Sequence, residues 1–325
     1  MSTITTTSPN ATSPLTRLIR SHPLIAFFVI AFAGSWIGFL PAILTQNGLG
    51  LLPYTFPALG PIPAAYYFTA LASILGPTLA SLTVTAVTGG SAGLRQLLRR
   101  YALWRVGLRW YLLVLVGVLL LQLACSAVFL GTAPLTTFIQ QWPLYFTIFL
   151  PNVLIIGVAA QLWEEGGWSG FAIPRLQQRF GAWRAVLIFG PLWALFHFPA
   201  FLIPGVIFQN KVDAITMVVQ MAVLIIAAIL IRIVMTWVFN NTKASILIAI
   251  LLHAALDASN SGSAYITHLL PASQIGGYGL ATLVVPFAGA ALLLVFTKGR
   301  LSYKPEPASQ LVEVSQLSEM PQTSV

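Results

Sequence analysis

The spacing of charge along this chain most constrains what it can become. Apolar runs lie at roughly 24–45, 63–87, 110–130, 151–173, 183–204, 214–239, 244–262 and 276–297, and the basic residues cluster in alternate segments between them. Each is close to the roughly 20 residues that cross about 30 Å of hydrocarbon at about 1.5 Å per residue. A backbone in lipid must satisfy its own hydrogen bonds, so the runs are read as helices. Only 7% of the residues are charged and 58% are apolar, whereas a soluble domain carries about 25% charge. The expected fold is an all-α, polytopic integral membrane protein of about eight transmembrane helices. Its domain order is a disordered cytoplasmic tail over 1–22, a helical membrane domain over 23–304, and a second disordered cytoplasmic tail over 305–325. The first run passes a triplet similar to a signal-processing site, Ala31-Phe32-Ala33, but continues to Leu44 and is read as a span.

The net charge of +9 points to a bilayer and not to nucleic acid, because the basic residues punctuate apolar runs instead of lining one solvated face. Threading the spans from a cytoplasmic N-terminus puts Arg17, Arg20, Arg95, Arg99, Arg100, Arg105, Arg109, Arg175, Arg179, Arg184, Lys243, Lys298, Arg300 and Lys304 inside. Lys211 falls outside and Arg232 within the sixth span. Positive charge is retained in cytoplasmic loops, so both termini are expected in the cytoplasm. The single cysteine, Cys125, lies within a span and forms no intrachain disulfide.

With seven acids in the chain, their placement carries most of the functional information. Glu306, Glu313 and Glu319 belong to the tail, and Asp213 has Lys211 beside it in an outer loop. Glu164, Glu165 and Asp257 lie inside spans, as do His197 and His253. An ionised side chain there costs at least about 2.5–3.5 kcal/mol, which marks such residues as functional candidates. Counted from the inner ends of their helices, Glu164, His197, His253 and Asp257 sit at depths of about 14–21 Å, one common layer. His253 and Asp257 are spaced i,i+4 and share a helix face. Glu164 and Glu165 are about 100° apart, so only one of them aims squarely at the layer's centre. Gly166, Gly167 and Gly170 interleaved with Trp168 leave the fourth helix open to close neighbours.

A glutamate beside two imidazoles in a water-poor interior suits amide hydrolysis: a carboxylate to deprotonate water, and donors for the developing oxyanion. The same Glu164, His197, His253 and Asp257 could hold Zn²⁺ with an open position for water. Both mechanisms stay open at the level of residues. Each signal also has a plainer reading. A membrane histidine taken singly is commonly a helix-to-helix hydrogen bonder. Trp163, Trp168, Trp183, Trp193 and Trp237 read as packing or interface anchors.

Three motifs in order resemble the type II CAAX-prenyl-protease and bacteriocin-processing (CPBP, or Abi) intramembrane proteases. Glu164-Glu165-Gly166-Gly167-Trp168-Ser169-Gly170-Phe171-Ala172-Ile173-Pro174-Arg175-Leu176 is similar to the first motif, E-E-x-x-x-R. Trp193 to His197 is similar to the second, an aromatic followed by x-x-x-H, and His253-Ala254-Ala255-Leu256-Asp257 to the third, H-x-x-x-N or H-x-x-x-D. Gly76-Pro77 and Asn240-Asn241-Thr242 extend the likeness over about residues 65–262. The resemblance implies that Glu164 activates water, that His197 holds it, and that His253 and Asp257 stabilise the oxyanion or bind metal. It also implies that Glu165 is a structural ion-pair partner, with Trp193 in support. The motif's Arg is here Ser169, so Glu165 needs another cation, Arg232 or Arg175, or hydroxyl or backbone donors, or a proton of its own.

The implied activity is an intramembrane endopeptidase, metalloprotease or glutamate-type, acting on apolar or lipid-modified (CAAX-like) peptides from a site facing the cytoplasm. Two alternatives compete with it. Intramembrane carboxylates also build ion-coupled transporters, although no inverted repeat is evident and the polar groups cluster between 164 and 257. The missing Arg also leaves room for a catalytically silent relative acting as an immunity or scaffolding protein.

Overall fold

The computed structural model describes residues 13–59, 64–204 and 213–305. These residues are helical nearly throughout, and no extended strand occurs among them. The order is α1 (Pro14–Ser21), α2 (Pro23–Leu44), α3 (Ala64–Tyr101), α4 (Leu108–Leu130), α5 (Ala133–Gln140), α6 (Tyr145–Phe180), α7 (Ala182–Leu202), α8 (Ala214–Asn241), α9 (Ile246–Ala258), α10 (Ala264–Leu269) and α11 (Ala272–Phe296). Among the described residues seven helices, α2, α3, α4, α6, α7, α8 and α11, are long and apolar enough to cross a membrane; α9 is shorter. With α9 these match the eight expected spans in order. The molecule is an all-α, multi-pass integral membrane protein.

Several boundaries differ from the sequence reading. The stretch 89–105, which lies between the second and third apolar runs and falls outside the expected spans, is helical as far as Tyr101, with the break confined to Gly90 at φ 57° and ψ −154°. Leu94, Leu97 and Leu98 among arginines make an amphipathic pattern, which a search for continuous apolar runs passes over. Part of the 1–22 tail is also ordered. Pro14–Ser21 is a helix capped by Ser13, whose Oγ accepts from Thr16 N at 3.2 Å, and Arg20 Nε donates to Val87 O at 3.0 Å. Residues 1–12, Lys211 and 306–325, with Glu306, Glu313 and Glu319, lie outside the described residues. Asp213, expected beside Lys211, caps α8: its carboxylate accepts from Thr216 N at 2.9 Å and Thr216 Oγ1 at 2.6 Å. These donors hold its carboxyl below the usual carboxylate range.

Large apolar side chains such as Val128, Ile215 and Phe296 face outward. Tight packing is confined to the interior, where α7 runs along α8, α11 along α4 and α2 along the first half of α3. Burial is uneven along α8: Ile215, Val218, Val219 and Ile226 are exposed, whereas Ala228, Arg232, Ile233, Met235 and Thr236 are buried. The buried half of α8 lies beside the polar centre of the molecule.

Two turns fix the helices that matter for function. Gly181, at φ 78°, is the single residue between α6 and α7; it reverses the chain in a conformation that side chains resist. Lys243 and Ala244 at φ 57° and 60° end α8, and Ser245 then starts α9. Its Oγ accepts from Ile248 N at 3.2 Å and donates to Leu103 O at 2.7 Å. Asn240 ties the same corner to Gln177 and Leu301.

Three glycines of α6 admit close neighbours, as the small-faced reading expects. Gly166 faces the Tyr101 hydroxyl and Gly170 faces Leu97 and Ile246. A Cβ on Gly167 would lie 2.6 Å from both the Cβ and the carbonyl oxygen of Pro77. Backbone cannot swing aside as a side chain can, so Gly167→Ala forces α3 and α6 apart. We expect it to lower stability by about 1–3 kcal/mol, the usual range for overpacking, read as a drop in thermal midpoint in detergent or nanodiscs.

Candidate active site

Glu164 and Glu165 lie on a short α-helical stretch, Leu162–Gly167, bracketed by π-helical turns at Gly157–Gln161 and Trp168–Ala172. A third π turn, Ile74–Thr78 with Pro77 inside it, packs against this stretch from α3. A π turn inserts a residue and rotates everything beyond it, a device common at functional sites. Here both acids turn inward: Glu164 is 3% and Glu165 0% exposed.

The two acids have different partners. Glu165 is saturated. Arg232 of α8 donates through Nη1 to Oε2 at 3.1 Å and through Nη2 to Oε1 at 2.9 Å. The Ser169 hydroxyl donates to Oε2, and His253 Nδ1 lies 2.9 Å from Oε1. The missing motif cation is therefore supplied from another helix, and Ser169 adds a hydroxyl from the position the Arg would hold. Arg232 is itself fully buried, 4.2 Å from the centre of the Trp193 ring and 5.0 Å from that of Phe189. Glu164 meets only neutral donors: Ser73 Oγ at 3.2 Å from Oε1 and Trp168 Nε1 at 3.2 Å from Oε2. Among the described residues no Lys or Arg pairs with it.

Hydrogen bonding fixes one proton on each imidazole. A carbonyl and a carboxylate only accept, so His197 Nδ1–H donates to Trp193 O at 2.8 Å and His253 Nδ1–H donates to Glu165. Both Nε2 atoms are left for other work. Trp193 lies between the rings, 5.1 Å from His197 and 5.3 Å from His253. Asp257, one turn along α9, has Oδ2 3.8 Å from His253 Nε2 and 2.5 Å from Gln161 Nε2. The residues singled out in sequence, Glu164, Glu165, Ser169, Trp193, His197, His253 and Asp257, thus occupy one neighbourhood built from α6, α7 and α9. No hydrogen bond joins Glu164 directly to His197 or His253 among the described residues.

Four contributors escaped the sequence reading or were left among alternatives: Ser73, Gln161, Trp168 and Arg232. Trp168, taken for a packing anchor, is fully buried and donates to Glu164 from i+4, a spacing that could have revealed it. Arg232 was visible as an intramembrane cation and was one of the two offered to Glu165; the structure brings it there in place of Arg175.

A catalytic zinc needs three protein ligands and an open position. Among the described residues no three His, Cys, Asp or Glu side chains gather closely enough to hold a metal ion. As arranged, the side chains do not fit the ion.

Comparison with known proteins converges on this same region. Residues 145–259, which carry all three motifs, match the family model described as type II CAAX prenyl endopeptidase Rce1-like. The CAAX prenyl protease 2 of Methanococcus maripaludis is 28% identical over 146 residues, 45% of this chain and 52% of that protein. The chain thus aligns with about half the length of that curated relative. The segment that bears Glu164, His197 and His253 is thus similar to the Rce1-like, type II CAAX prenyl endopeptidases.

Proposed function

We propose that the protein is a glutamate-type intramembrane endopeptidase that hydrolyses an amide bond in an apolar or lipid-modified, CAAX-like peptide. The observation that carries this reading is the division of labour between the paired acids. Glu165 has its lone pairs occupied by Arg232, Ser169 and His253, whereas Glu164 is held by neutral donors and is free to take a proton.

The chemistry follows from the hydrogen-bond roles. A water between Glu164 and His197 donates one proton to the Glu164 carboxylate and the other hydrogen to the lone pair on His197 Nε2. Its own lone pair then points at the scissile carbonyl. As Glu164 takes the proton, the C–O bond forms and charge moves onto the carbonyl oxygen, within reach of His253. With Nε2 also protonated, His253 donates to that oxyanion, and the nearby Asp257 carboxylate balances its charge. Glu164 returns its proton to the amide nitrogen as the C–N bond breaks. An apolar tail can stay in lipid while one amide reaches the site, which opens toward the cytoplasm, with both termini on that side.

The test is the purified chain in proteoliposomes with a peptide prenylated on the cysteine four residues from its C-terminus. Mass spectrometry should show release of the C-terminal tripeptide. Ion-coupled uptake without any peptide product would identify a transporter instead, and neither activity would leave a silent scaffold. A strong chelator followed by dialysis should leave the cleavage rate within twofold. Loss of cleavage restored by Zn²⁺ would assign the chemistry to a metal.

A further inference from the structure

We infer that Gln161 is a positioning residue of this site: its carboxamide clamps Asp257 as a hydrogen-bond acceptor and so fixes the carboxylate that faces His253. The inference rests on the endopeptidase reading. Gln161 closes the π turn Gly157–Gln161, immediately before the stretch that carries the two glutamates, and is buried. Its Nε2 donates to Asp257 Oδ2 at 2.5 Å across 96 residues of sequence. The same Oδ2 is the atom 3.8 Å from His253 Nε2. One oxygen of Asp257 is thus fixed between an amide and an imidazole, while the side chain remains 42% exposed.

The orientation of the amide carries chemical information. A carboxylate oxygen accepts and does not donate, so the NH₂ end of Gln161 must face it, and the carbonyl end faces away. That carbonyl, Oε1, is buried with no hydrogen-bond partner among the described residues. Reversing the amide would present an acceptor to an acceptor, so the orphaned Oε1 is the consequence of keeping Asp257 supplied with a donor. Buried polar atoms are ordinarily satisfied, and an exception beside a reactive group calls for a functional account. A packing role needs no amide here. In this arrangement Asp257 acts as an acceptor that orients and balances His253.

The experiment is a double-mutant cycle of Gln161→Leu and Asp257→Ala, reading kcat, KM and thermal midpoint on the prenylated peptide in proteoliposomes. Gln161→Leu should lower kcat about tenfold or more with KM changed less than threefold, and should lower it by less than about threefold further in the Asp257→Ala background, because a residue acting through the Asp257 carboxylate then has nothing left to act on. Gln161→Leu within twofold of wild type, or losses that multiply in the double variant, would overturn the inference while an active wild type keeps the endopeptidase reading. A thermal midpoint that falls in step with kcat would reduce Gln161 to packing and also overturn it. A wild type that cleaves nothing would overturn the reading itself, and the clamp with it.

Discussion

Arg232→Met should destabilise the protein by about 3–5 kcal/mol, the usual cost of removing one partner from a buried ion pair. The loss comes less from the missing cation than from the anion left behind. Glu165 is fully buried, with both oxygens directed at Arg232, and water cannot reach it when the guanidinium goes. Only the Ser169 hydroxyl and His253 would remain as donors. Lysine should rescue poorly: one ammonium cannot reproduce the two-pronged contact with Oε1 and Oε2, nor the guanidinium stacking over Trp193. Ser169 and Arg232 both reach Glu165 Oε2, so cation and hydroxyl could exchange places. Ser169→Arg alone should be overpacked, because Arg232 already fills the space. Combined with Arg232→Met it should recover most of the lost stability, measured as thermal midpoint in nanodiscs. Equal loss in single and double variants would show that the cation's helix of origin matters as much as its charge.

Glu164→Gln should lower kcat by about 10²–10⁴, the usual contribution of a positioned general base. The thermal midpoint should barely move, because a carboxamide oxygen still accepts from Ser73 or Trp168. The same change one residue along should do the opposite. Glu165→Gln removes the charge that Arg232 and His253 require, so stability falls first and activity with it. A comparison of the two isosteric substitutions, kcat against melting temperature, separates a reacting carboxylate from a supporting one. If both variants lose stability equally, the division of labour between the acids is wrong.

The spans were legible in the sequence because hydrocarbon leaves few options: a charge-free run of sufficient length must be helical, and helix order follows. The π turns around Glu164 were not, since one inserted residue hardly disturbs an apolar run that has no sharp period. Among site residues, legibility followed chemical cost. Glu164, Glu165, His197, His253 and Asp257 stand out because ionisable groups in lipid demand a reason. Ser73, Gln161 and Trp168 are neutral and pass for ordinary interior residues until their atoms are found against the acids. Arg232 was conspicuous as a cation, but its partnership with Glu165, 67 residues away, depends on how α8 packs against α7 and α6. Ser169 marked a missing interaction and left Arg232 and Arg175 as alternative replacements, between which only the packing of the helices decides.

The most direct test of the account is a structure of the protein in a lipid nanodisc with a phosphinate analogue of the prenylated peptide, whose tetrahedral phosphorus imitates the hydrated amide. One phosphinyl oxygen should sit between Glu164 and His197 and the other within hydrogen-bond reach of His253, with Glu165 still held by Arg232. Phosphinyl oxygens bound to a metal ion, or an analogue lodged away from these three side chains, would contradict it.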